Sequence, residues 1–153
     1  MGSMKFTCDK RELSDALTNL QHAVSVKSTL PVLEGILLRA GEGRLRLFAY
    51  DLEIGMTTEI VANVAEEGAI VLGAKLFTDL TRRLPGERVE LETDAKLLTT
   101  IRSGASEFTV VGISAGDFPE LPAVGDGTRC ALPQDVLLSM IRQTLFAVSQ
   151  DDS

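Results

Sequence analysis

The sequence predicts an α+β fold built from two copies of a βαβββ half-domain, and three observations predict it. Short runs of alternating apolar and polar residues recur through the first 113 residues. Two segments depart from that period of two and take helical spacing, each directly after a short strand. Turns carrying Gly or Asp separate the remaining strands, which makes neighbours antiparallel hairpins.

Residues 5–8 form the first strand, with Phe6 and Cys8 on one face. Asp9 then stands as a helix N-cap with Glu12 three residues on. Leu13, Ala16, Leu17, Leu20 and Val24 recur at helical spacing, while Ser14, Thr18, Gln21 and Ser25 make a small, polar outer face. Lys27, Ser28 and Thr29 connect to Pro31, which forbids further helix and is expected to start an extended run over 32–39. Strands at 44–50 and 55–64 follow, with turns at Gly41-Glu42-Gly43 and around Asp51.

A strand at 69–72 leads into a second helix at 74–84, stopped by Pro85-Gly86, with Leu76, Phe77, Leu80 and Leu84 as its expected buried stripe. Strands at 89–93, 97–103 and 107–113 complete the second copy, turning at Asp94 and Gly104. Residues 116–127 read as a Gly- and Pro-containing linker. Beyond it, 129–132 is expected to be a strand, leading into a helix that Pro133 opens.

That last piece repeats the start of the chain. At an offset of 124 residues, Ala147-Val148-Ser149 falls on Ala23-Val24-Ser25, Leu137 on Leu13, Met140 on Ala16 and Ile141 on Leu17. The expected organisation is an expression remnant at 1–3, a complete domain at 4–125, and at 126–153 the first strand and helix of a second copy, cut short.

Composition limits what such a chain can do. With 44% apolar and 24% charged residues the chain is an ordinary globular one. A net charge of −7 argues against a protein that grips nucleic acid with its whole surface, so an anionic partner must meet a local basic patch. Cys8 and Cys130 are too few and too distant for a disulfide framework, which suggests a reducing compartment, and no run is long enough to span a membrane; a cytoplasmic location is expected.

His22 is the only histidine, which leaves no material for a His-based metal cage, and Cys8 reads as a buried apolar thiol. Asp51 and Glu53 are an acid pair that a hydrolase or Mg²⁺ enzyme could use, but Asp51 sits where a hairpin needs an Asx residue. Glu90 and Glu92 occupy the outward face of a strand. No cofactor is called for.

Seven strings in order, MKFT, KSTLPVL, AYDLEI, AKLFTDLTRRLP, IRSGASEF, DFPELP and MIRQTLFAVS, closely resemble the bacterial sliding clamp family, the beta subunit of DNA polymerase III, from Met4 to Ser153. The resemblance implies a DNA clamp fold and a non-catalytic processivity factor. In that family, three copies of the domain per subunit and two subunits head to tail close a ring around duplex DNA. DNA polymerase III and the clamp loader are its partners in the full-length protein.

The resemblance also implies site residues. Sequence-independent DNA contacts fall on Lys27, Lys75 and Arg82, and on Gln150 and Asp151 in the equivalent loop of the next repeat. Lys75 and Arg82 lie two helical turns apart, about 10 Å along the axis, on the face expected to be opposite Leu76 and Leu80. The subunit contact falls on Leu76, Glu107, Phe108 and Val110. Ala105, Glu107 and Leu76 stand where some members carry basic residues, so an apolar contact with different charge pairing is expected. A free-standing α+β interaction module of clamp ancestry is the alternative.

Overall fold

The structure, a computed structural model, describes residues 3–149. Its elements are β1 (Met4–Asp9), α1 (Lys10–Leu20), β2 (Gly35–Gly41), β3 (Arg44–Tyr50), β4 (Gly55–Glu66), β5 (Gly68–Gly73), α2 (Ala74–Arg83), β6 (Arg88–Thr93), β7 (Leu98–Ser103), β8 (Ser106–Val111) and α3 (Gln134–Thr144). The βαβββ order expected from the sequence is therefore present twice before Pro122, where the first of two compact units ends.

The eight strands form one antiparallel sheet in the order β5-β2-β3-β4-β1-β6-β7-β8. A bridge between Val71 and Ile113 joins its two ends, so the sheet is nearly closed. Hairpin chemistry sets the register. Glu42 and Gly43, at φ 53 and 73, make the two-residue turn between β2 and β3, the positive-φ pair whose twist suits adjoining strands.

One face of the sheet holds the main core. Phe6 and Cys8 of β1, Ile36 and Leu38 of β2, Leu45 and Leu47 of β3 and Leu91 of β6 meet Leu13, Leu17 and Leu20 of α1 and Phe77 of α2 in a single cluster. The two helices thus lie on the same face, packed side by side. Asp9 caps α1 as expected, its Oδ1 accepting the Glu12 amide at 2.9 Å, a contact worth about 1 kcal/mol. The intervening residues Leu37 and Val71 face outward. There they join Val32, Leu33, Tyr50 and Phe118 in a smaller second cluster.

Four sequence expectations need correction. Leu76 is 59% exposed; of the expected stripe Phe77 and Leu84 are buried and Leu80 packs partly buried on the core, and the helix also buries Ala74, Thr78 and Thr81, which with Phe77 recur at three and four residues. Pro31 starts a 3-10 turn, Pro31–Glu34, since its fixed φ suits a first helical turn as well as an extended one; β2 begins at Gly35. Leu97 lies outside β7 with φ 65, completing the turn that Asp94 closes, and β8 ends at Val111. Residues 129–132 form no strand: β1 is held by β4 and β6 on either side, whereas no described strand pairs with 129–132.

The linker expectation holds only in part. Phe118 is buried, and a 3-10 turn at Ala115–Asp117 precedes it. In the second unit, α3 and the 3-10 turn Leu145–Ala147 stand 124 residues after α1 and its own turn, Gln21–Ala23, with identical bounds.

Two outcomes test this packing. Thr78 is fully buried and its hydroxyl has no partner among the described residues, so Thr78→Val should raise stability by about 1 kcal/mol in urea unfolding; a loss of that size would reveal a hidden partner for the hydroxyl. Burial pushes the Cys8 thiol up to about 12, while Cys130 is exposed. A thiol-reactive dye on the native chain should therefore label Cys130 rapidly and Cys8 only after unfolding. Rapid labelling of both would mean that β1 opens readily.

Candidate nucleic-acid interface and edge strand

The side of α2 that faces solvent carries Lys75, Arg82 and Arg83 against one carboxylate, Asp79. Lys75 is exposed in the first turn. It lines a cleft of about 440 Å³ together with Gln21, Val24, Ser25 and Val26, the chain that runs directly into Lys27. Lys27 is exposed in that connector, and among the described residues neither Lys27 nor Lys75 has a carboxylate partner within ion-pair distance. Neither ammonium is matched by a carboxylate, which leaves its N–H donors available to an incoming anion.

Arg82 is tethered differently. Its Nη2 donates to Thr18 Oγ1 of α1 at 3.3 Å, and its Nη1 lies 4.0 Å from the Asp79 carboxylate. That fixes the guanidinium over the seam between the helices and leaves half of it exposed. The small polar outer face of α1 was visible in sequence, but not that Thr18 receives Arg82, because the contact joins residues 64 apart. Arg11 of α1 was missed too: it is exposed beside Arg82 on a cleft of about 660 Å³. Gln150 and Asp151 lie outside the described residues.

Charge on the outward face of the sheet is arranged in the opposite way. Lys5 Nζ reaches Glu92 at 3.3 Å, and Arg102 reaches Glu90 at 3.1 Å, Glu92 at 3.0 Å and Glu107 at 2.7 Å, along a row that crosses β1, β6, β7 and β8. Arg44 and Arg46 share Glu59 at 2.7 and 2.8 Å. Hydrogen bonds from Arg46 hold Glu59 below the usual carboxylate range, and those from Arg102 and Lys5 do the same for Glu92. Exposed pairs of this kind add little stability each. Their consequence here is that Lys5, Arg44, Arg46 and Arg102 are matched by carboxylates, whereas Lys27 and Lys75 are not; Arg39, also on the outward face, lies 5.3 Å over the Phe48 ring instead.

Asp51 and Glu53 take no catalytic arrangement. Asp51 Oδ1 accepts the amides of Glu53 and Ile54 at 2.9 and 2.7 Å, an Asx turn, and those two bonds lower its pKa.

The second part of the site is β8. It pairs with β7 along one side, and its other edge has no strand partner within Ser106–Val111 among the described residues. Phe108 is 42% exposed, unusual for an aromatic residue in a sheet with a helix-covered face, and Val110, two residues on, is partly buried against the main core. Leu76 is exposed on α2. Glu107 is committed within its own domain, its carboxylate accepting from Arg102 Nε. An unpaired six-residue edge beside an exposed aromatic leaves backbone amides and carbonyls open to solvent, the kind of edge that can take an added strand.

A nearly closed antiparallel sheet carrying two adjacent helices, assembled from a doubled βαβββ unit, is the architecture of the DNA clamps. Residues 4–122 match the family described as DNA polymerase III beta subunit, N-terminal domain, and the chain belongs to that family. It is 34% identical over 158 residues to the beta sliding clamp of Bacillus subtilis and 38% identical over 152 residues to that of Synechococcus elongatus, in each case over 98% of this chain. The crystal structure of the Bacillus subtilis DNA polymerase sliding clamp superposes with a TM-score of 0.94 at 33% identity, over 99% of this chain and 42% of that one. The Caulobacter crescentus clamp gives 0.91 at 32% identity, over 98% and 41%. The chain spans 42% and 40% of the lengths of the first two relatives. Among the described residues no helix is long and apolar enough to cross a membrane.

Proposed function

We propose that this chain forms one arc of a sliding clamp, a non-catalytic processivity factor whose subunits close head to tail around duplex DNA and tether the replicative polymerase. Residues 4–125 are its complete domain, and 126–153 begin the next copy, a reading supported by the identical bounds of α1 and α3 at the 124-residue offset. DNA polymerase III and the clamp loader are its partners in the full-length protein, in the cytoplasm.

One observation carries the proposal: α1 and α2 lie side by side on one face of the sheet with Lys27 and Lys75 unpaired, while the cations along the outward ion-pair rows are matched by carboxylates. A wall of a few mobile cations attracts phosphate and reads no base. Binding through it is weak, salt-sensitive and blind to sequence. That weakness suits a ring, in which topology supplies retention and loose electrostatics permits sliding.

The chain alone, which cannot encircle DNA, should show almost no binding to linear duplex in an anisotropy titration at physiological salt; tight retention would contradict the proposal. In the full-length ring, Lys27→Ala, Lys75→Ala and Arg82→Ala should each reduce the salt slope of DNA binding by about 1, equally on unrelated sequences. Slopes unchanged in all three would remove these residues from the DNA path.

A further inference from the structure

One difference between the two half-domains lies beside the edge strand. In the first half, β4 runs for 12 residues and pairs with both β3 and β1. By the same pattern β8 would pair with β7 and β5 and close the sheet. Instead β8 stops after 6 residues, and of the chain that follows Ile113 bridges to β5. Its amide donates to the Val71 carbonyl at 2.8 Å, and its carbonyl accepts from the Val71 amide at 3.0 Å.

Two neighbours hold Ile113 there. The Gly112 amide donates to the Leu97 carbonyl at 2.8 Å, and a Cβ at position 112 would come within 2.6 Å of the Ile70 side chain, so the backbone passes where only glycine fits. Farther on, Ser114 Oγ accepts the Gly116 amide at 3.3 Å and caps the short turn. That turn delivers Phe118, 7% exposed, into the outward cluster with Leu33, Leu37, Tyr50 and Val71. Val71 is therefore gripped twice, by the backbone of Ile113 and within the cluster that Phe118 completes.

We propose that residues 112–118 form a strap that keeps β8 from closing onto β5 and so holds its outer edge open for a strand of a second subunit, with Gly112, Ile113 and Phe118 as positioning residues. The proposal rests on the reading of β8 as the subunit edge. Two facing edges with unpaired amides and carbonyls gain hydrogen bonds by zipping together or by slipping in register. A strap that pins the two at one point, Ile113 on Val71, fixes their register, and by turning away at once to a buried aromatic it leads the chain out of the sheet before a longer ladder can form.

Hydrogen exchange on the 153-residue chain tests the strap. Phe118→Ala should speed exchange at the Val71 and Ile113 amides and across β8 by about tenfold, with β3 and β4 changing by less than about twofold. Phe118→Leu, which keeps an apolar anchor, should restore protection. Should Phe118→Ala fail to fold, Ser114→Ala loosens the turn without emptying the cluster, and exchange at Ile113 should rise about threefold. Unchanged exchange in β8, or a uniform rise in every strand, overturns the strap. In the full-length protein Phe118→Ala should also weaken subunit pairing several-fold. If β8 loosens but pairing by both Phe118→Ala and Phe108→Asp subunits is normal, the edge reading has failed and the proposed purpose of the strap fails with it. If Phe108→Asp disrupts pairing while Phe118→Ala leaves β8 protected, the edge reading stands and the strap alone is wrong.

Discussion

Replacing Phe77 by alanine should lower the stability of the first unit by about 3–5 kcal/mol, while Leu76→Ala, one residue earlier, should change it by less than about 1 kcal/mol. Phe77 is 1% exposed and sits where α2 meets the sheet and α1; Leu76 is 59% exposed. Removing the ring leaves a cavity that a ten-residue helix packed on two sides cannot collapse to fill. The loss is a large part of the 5–15 kcal/mol typical of a domain. Urea unfolding followed by circular dichroism reads both variants, and Phe77→Ala should move the midpoint with the slope unchanged. Equal losses for the two would mean that the faces of α2 are assigned wrongly.

Phe108→Asp should weaken subunit pairing in the full-length protein by about 2 kcal/mol or more, roughly 30-fold in dissociation constant. The same change should cost the isolated chain less than about 1 kcal/mol, because Phe108 is already 42% exposed. A carboxylate at 108 would stand beside Ile101 and Val110 on the helix-covered face, while Arg102, opposite Glu107 on the other face, is already paired with Glu90, Glu92 and Glu107. Thr109→Asp, on the opposite face of the same strand, is the control and should disturb pairing much less. Sedimentation of the full-length variants and thermal melts of the short chain separate the two effects. Normal pairing by Phe108→Asp subunits would mean that this edge does not join subunits.

Where one face of an element carried its own period, the fold was legible without coordinates. The alternation in 44–50 marked β3 because each second residue is a Leu or Ala that the core requires, and Asp9 with Glu12 marked the start of α1 because the cap is a contact between residues three apart. The doubled βαβββ order and the 124-residue repeat were legible for the same reason. The errors fell where two conformations satisfy the same local pattern. Pro31 suits a 3-10 turn or a strand, and 129–132 has strand character but no described neighbour to bond. For α2, Leu76 and Phe77 are equally apolar, and the hydrophobic pattern alone does not say which one turns inward.

For the site, the sequence by itself determined which residues were available: a scarcity of histidine, two lone cysteines, and lysines at 27 and 75 in a chain of net charge −7. It could not decide which charges were free. Lys5, Arg44, Arg46 and Arg102 are as basic on paper as Lys75, and strand register alone sets them opposite Glu90, Glu92, Glu59 and Glu107. The tertiary structure also decided that, among the described residues, β8 has no strand on its outer edge and that Ile113, some 40 residues from Val71 in the chain, bridges to β5 in its place. Local pattern is written in side-chain chemistry a few residues apart; pairing across the fold is settled only when distant strands find their register.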